Sequence, residues 1–93
     1  MGVPKLRLGL IGCGEIAAKS TVPAILGCQH AEVVAAMDTK LSLARDLAEK
    51  TGAAVVTDKV EELLKQERVE AVVISTPHFL HAPIGMQAAR SGK

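Results

Sequence analysis

Aromatic side chains are almost missing: Phe79 is the only one in 93 residues, and there is no Trp or Tyr. Such a chain has no platform on which nucleobases could stack, which removes the usual readers of single-stranded nucleic acid. A charge bias is missing too. Eleven basic and ten acidic residues leave a net charge of +1, so no broad field draws in a polyanion or an anionic membrane surface. No apolar run comes near the ~20 residues that cross a bilayer. Cysteine is scarce, with only Cys13 and Cys28 and no C-x-x-C spacing, which argues against a disulfide scaffold and for a reducing, cytoplasmic setting. Arg7 interrupts the first apolar run and no cleavage site follows, so the N-terminus does not read as a signal peptide. Leu6 stands where a myristoylation signal needs Ser or Thr.

What is present is an apolar content of 48% against 23% charged residues, enough to build the core of one small globular domain. Leu6 to Ile11 is a short apolar run that reads as a buried strand. Glu15 to about Leu26 reads as helical, with Pro23 predicting a kink or two short pieces. Glu32 to Met37 is a second strand. Leu43, Ala44, Leu47 and Ala48 mark the buried stripe of a helix ending near Gly52. Ala54 to Thr57 is a third strand, and Asp58 with Glu61 resembles an acidic capping pattern before Val60, Leu63 and Leu64. Ala71 to Ser75 is a fourth strand, and a last helix is expected from near Leu80 to Gly92, with Pro83 in its opening part. The order β-α-β-α-β-α-β-α selects an α/β fold of Rossmann type, a parallel sheet with helices on both faces. The apolar strands fit burial on both sides.

Gly12-Cys13-Gly14-Glu15-Ile16-Ala17 follows the first strand and opens the first helix. It fits G-x-G-x-x-G/A: Gly12 permits the tight turn, Gly14 lets a pyrophosphate approach the backbone, and Ala17 lets helix and strand pack closely. Free N–H groups and the helix dipole would then meet the phosphate charge. Asp38 lies twenty-four positions beyond Gly14, at the end of the second strand, where an acid accepts hydrogen bonds from a ribose; the alternative is an N-cap for the second helix. Its charge favours NAD over NADP, and Lys40 could offset that preference, so both coenzymes stay open. Cys13 is a compact spacer in the turn, with a reactive thiol as the alternative. Cys28 is expected to be a buried or half-buried filler. Ser75, Thr76 and Pro77 close the fourth strand and should line the crevice beyond the strand ends. His78 and His81, three positions apart, would suit a metal pair only with a third ligand, and none stands nearby; both read as helix-start histidines, with His81 the better candidate to face the crevice.

The runs Leu8 to Ala17, Pro23 to Leu26 and Val33 to Asp38, then Thr76-Pro77 with His81 and Ala88 to Lys93, resemble the N-terminal domain of the glucose–fructose oxidoreductase/inositol dehydrogenase (Gfo/Idh/MocA) family. The resemblance covers the chain from Leu6 onward. It implies NAD or NADP binding and hydride exchange with a sugar, polyol or related hydroxyl compound. By position, Gly12, Gly14, Glu15 and Ile16 would surround the pyrophosphate, Asp38 the adenosine ribose, and Thr76, Pro77 and His81 the nicotinamide half. His78 departs from the Asn that many relatives have after the Pro. The family's Glu-Lys-Pro segment with its catalytic lysine, and its substrate domain, have no counterpart here; Lys93 is not that lysine. The expectation is therefore a partial Rossmann domain over residues 1–93, without catalytic residues and inactive alone, whose unpaired fourth strand invites self-association. A non-catalytic dinucleotide-binding or regulatory module is the runner-up reading. A methyltransferase, which also places an acid after strand two, is the third.

Overall fold

Leu6–Ile11 forms β1, Ala31–Met37 β2, Val55–Thr57 β3 and Ala71–Ile74 β4, all parallel and ordered β3-β2-β1-β4. The computed structural model describes residues 5–75 and 78–93, with the backbone alone for residues 78–82. Three further helices follow the strands: α2 (Leu41–Thr51), α3 (Val60–Leu64) and α4 (His78–Arg90). This is the doubly wound α/β arrangement expected from the alternation of elements. The strand order reverses at β1: β2 and β3 lie on one side of it and β4 on the other, the kind of switch point beyond whose strand ends open α/β sheets bind their ligands.

The segment after β1 is helical throughout, in two short pieces of different winding, as the proline led one to expect. Helical backbone starts at Glu15, passes through a π-helical turn, Ala17–Thr21, and continues as α1, Val22–Leu26. Pro23 has no N–H to donate. The chain accommodates it by widening the preceding turn, where the Val22 N–H reaches back to the Ala17 carbonyl.

Each face of the sheet has its own core. Leu10, Cys13, Ala17, Val22, Val33, Ala36, Ala44, Leu47 and Ala48 pack together beneath α1 and α2. On the other face Ile11, Val34, Ala35, Met37, Leu63, Leu64, Val69 and Ala88 pack beneath α3 and α4. Strict alternation fails in β2, because Val34 and Ala35 share a face. The pairing explains it: Leu8 stands opposite Val33 but Gly9 opposite Ala35, so Val34 is an extra residue in a bulge. Arg7 fits a buried strand because it lies at the amino end, paired with Glu70 at 3.7 Å and donating from Nε to the Arg68 carbonyl.

Several boundaries differ from the sequence expectation. Asp58 does not cap α3; the preceding turn is held by the Lys59 N–H on Thr57 Oγ1 at 3.1 Å, and the N-cap position is Lys59. The last helix begins at His78, ahead of Leu80, so Pro83 lies inside it. Cys28 is exposed rather than buried, because it sits past α1 in the surface turn where its N–H reaches the Ile25 carbonyl. The second helix does end at Gly52, whose φ of 79° is left-handed, a backbone region that favours glycine. Among the described residues no helix is long and apolar enough to cross a membrane.

Candidate functional site

The carboxyl ends of β1 and β2 meet at the glycine loop. Gly12 has a φ of 95°, the left-handed turn expected of the first glycine, and its N–H donates to the Met37 carbonyl at 2.8 Å. Gly14 differs. Its φ is not positive, and no described atom beyond its chain neighbours lies within 4 Å of where a Cβ would sit. Neither backbone strain nor packing requires glycine there, and a Cβ would only fill the open space in front of the loop.

Helical hydrogen bonding begins with the Ala18 N–H on the Gly14 carbonyl at 3.0 Å. The amides of Glu15 and Ile16 precede it, in the turn whose N–H groups have no intrahelical acceptor. The Glu15 carboxylate is paired with Lys19 on the surface, so what Glu15 offers a phosphate is its amide. Ile16 is 70% exposed, an apolar side chain left uncovered beside the loop. Ala17 is completely buried under the sheet core, as its place in the motif requires.

Asp38 is joined to this loop. Its Oδ2 accepts the Cys13 N–H and its Oδ1 accepts the Lys40 N–H, each at 2.8 Å. The N-cap position of α2 is Lys40, without a side-chain cap, so Asp38 is not the helix cap. Two amides fix the carboxylate and leave its other lone pairs for donors from outside. Lys40 is exposed.

Cys13 is almost fully buried. Burial, then the nearby Asp38 charge, push its thiol up to about 11, against a smaller opposing effect of the Met37 hydrogen bond. Burial and the Asp38 charge thus disfavour the thiolate that a reactive thiol needs, and the thiol donates to the Met37 carbonyl at 3.2 Å.

At the carboxyl end of β4 the Ser75 N–H donates to the Ile11 carbonyl at 2.8 Å, and Ser75 Oγ lies 3.4 Å from Thr21 Oγ1. Thr21 was not singled out from the sequence; it reaches this place because the π-helical turn ends there, a feature whose only sequence signal is Pro23. Thr76 and Pro77 lie outside the described residues. His81 belongs to α4, and its side chain is likewise outside them.

The model of the oxidoreductase family with an NAD-binding Rossmann fold, Gfo/Idh/MocA, matches residues 6–93. The chain belongs to this family. A Streptomyces violaceoruber relative, dTDP-3,4-didehydro-2,6-dideoxy-alpha-D-glucose 3-reductase, is 38% identical over 98% of this chain and 26% of its own length. The D-glucoside 3-dehydrogenase of Escherichia coli is 32% identical over 94% of this chain and 25% of its own. A 3-ketoreductase from Actinomadura kijaniata, crystallised with NADP and TDP-benzene, superposes with a TM-score of 0.89 at 32% identity, covering 96% of this chain and 27% of that one. The WlbA dehydrogenase from Bordetella pertussis, crystallised with NADH and UDP-GlcNAcA, gives 0.85 at 32% identity over 96% of this chain and 27% of that one. The chain thus spans about a quarter of the length of these Gfo/Idh/MocA relatives. It covers their NAD-binding part, and a nicotinamide dinucleotide is the ligand class that goes with it.

Proposed function

We propose that residues 1–93 are the coenzyme-holding unit of an oxidoreductase that moves a hydride between a nicotinamide dinucleotide and a sugar, polyol or related hydroxyl compound. The observation that carries this reading is Gly14: open space where a Cβ would be and no positive φ, so the glycine serves something outside the chain. In this reading Gly12 shapes the turn, while the backbone of Gly14, Glu15 and Ile16 surrounds the pyrophosphate. Asp38 accepts hydrogen bonds from the adenosine ribose. Ser75, Thr76, Pro77 and His81 line the nicotinamide half. Bound there, the nicotinamide ring supplies the hydride chemistry, and this chain's residues supply position and charge.

Asp38 favours NAD over NADP, since a fixed carboxylate repels a 2′-phosphate. The relatives named above were crystallised with one coenzyme of each kind, and Lys40 is the nearest cation in sequence to modulate the choice. The hydroxyl substrate class is supported by the sugar names of the relatives. Chemistry in this reading needs groups beyond those that hold the coenzyme, so the 93 residues alone should show little or no turnover. The outer edge of β4, half-buried and paired on one side only among the described residues, supports self-association of this chain, which sedimentation over a range of concentrations measures.

Isothermal calorimetry with NADH, NADPH and S-adenosylmethionine tests the assignment. Binding of a nicotinamide coenzyme with NADH preferred is expected. Binding of S-adenosylmethionine alone would overturn it.

A further inference from the structure

The glycine loop is held to the end of β2 by three bonds that converge on two consecutive residues. The Met37 carbonyl accepts both the Gly12 N–H at 2.8 Å and the Cys13 thiol at 3.2 Å, and Asp38 Oδ2 accepts the Cys13 N–H at 2.8 Å. Cys13 thus grips β2 twice, once through its side chain and once through its peptide. We infer that Cys13 is a positioning residue: its thiol, donated to Met37, orients the peptide that holds Asp38 and thereby sets how strongly the chain selects NADH over NADPH. This rests on the coenzyme reading above.

Asp38 separates the two coenzymes only if its carboxylate stays where a 2′-hydroxyl can donate to it and a 2′-phosphate cannot avoid it. Without the Cys13 thiol bond, residue 13 rotates more freely in its pocket and its N–H no longer holds the carboxylate to one orientation. Loss of this hydrogen bond, a weak one because a thiol is a weak donor, loosens this grip and should cut the NADH/NADPH affinity ratio by about threefold. A small side chain is needed at this place because Cys13 also packs with Leu10, Ala17, Val22 and Ala44.

The test is titration of the full chain with NADH and NADPH, following coenzyme fluorescence, which suffers no Trp or Tyr background here. C13S keeps a donor and should hold the affinity ratio within about twofold of the native chain. C13A should lower the ratio about threefold, and C13V, which fills the buried space without a donor, should do the same if C13A does not fold. Thermal unfolding recorded alongside separates the roles, since a merely structural side chain would lower the melting temperature and leave the ratio alone. An unchanged ratio in the folded donor-less variant overturns the inference by itself. A native chain that binds neither coenzyme overturns the function reading, and the inference with it.

Discussion

The amide of Cys13 points at the carboxylate of Asp38 across 2.8 Å, although the two residues stand 25 positions apart. That contact joins the two halves of the motif, the glycine loop and the acid. Met37 stands opposite Ile11 at the end of the paired strands, so the next residue of β2 lies beside the loop. The same carboxylate accepts the Lys40 amide, which makes it a shared fixture of the loop and the start of α2.

Substitution D38N should therefore do more than remove a charge. An amide has one acceptor oxygen, and its NH2 group would face one of the two backbone donors. Thermal or denaturant unfolding should show a loss of about 1–2 kcal/mol, and NADH affinity should fall about tenfold or more, with the preference over NADPH shrinking.

Gly14→Ala separates fold from ligand. Because the position has ordinary φ and open surroundings, unfolding free energy should change by no more than about 0.5 kcal/mol. Coenzyme affinity should fall about tenfold or more, as the new methyl group stands where the pyrophosphate approaches. Denaturant melts and a coenzyme titration on one preparation check both halves.

Gly9 should behave in the opposite way. A Cβ there would meet Leu63 Cδ2 at 2.8 Å and Val69 Cγ1 at 3.2 Å, and both of those residues are buried. Gly9→Ala should cost about 1–3 kcal/mol of stability through overpacking, as seen in a denaturant melt.

Cys13 gives a pH signature. Its thiol is shifted from 9.0 up to about 11 in the folded chain, so the fold favours the protonated form. The associated stability is complete below pH 9 and is lost as the pH rises through 11, to a total of about 2–3 kcal/mol. Ser does not titrate in this range. The stability difference between the native chain and C13S should therefore shift in favour of C13S by about 2 kcal/mol between pH 8 and pH 11.

The alternation of strands and helices, the glycine turn and Asp38 at the end of β2 were legible because each depends on local pattern: apolar runs, turn residues and a fixed spacing between them. What was not legible arises from tertiary context. The bulge at Val34 is a property of pairing with β1, invisible in β2 alone. The π-helical turn before Pro23, which delivers Thr21 to Ser75, is one of several ways to absorb a proline, and only the packing selects it. Asp58 looked like a cap because its spacing is right, but Thr57 already holds the Lys59 amide. Cys28 looked like core by residue type, and its place in the turn after Gly27 leaves it in solvent.

Where a nicotinamide coenzyme contacts the chain is measured most directly by amide chemical shifts followed residue by residue during an NADH titration. The predicted result is saturable shifts concentrated at Gly12, Gly14, Glu15, Ile16 and Asp38, with Ser75 following. Saturable shifts confined to the opposite end of the sheet, around Cys28 and Ala31, or no shifts at all in the folded chain, would contradict it.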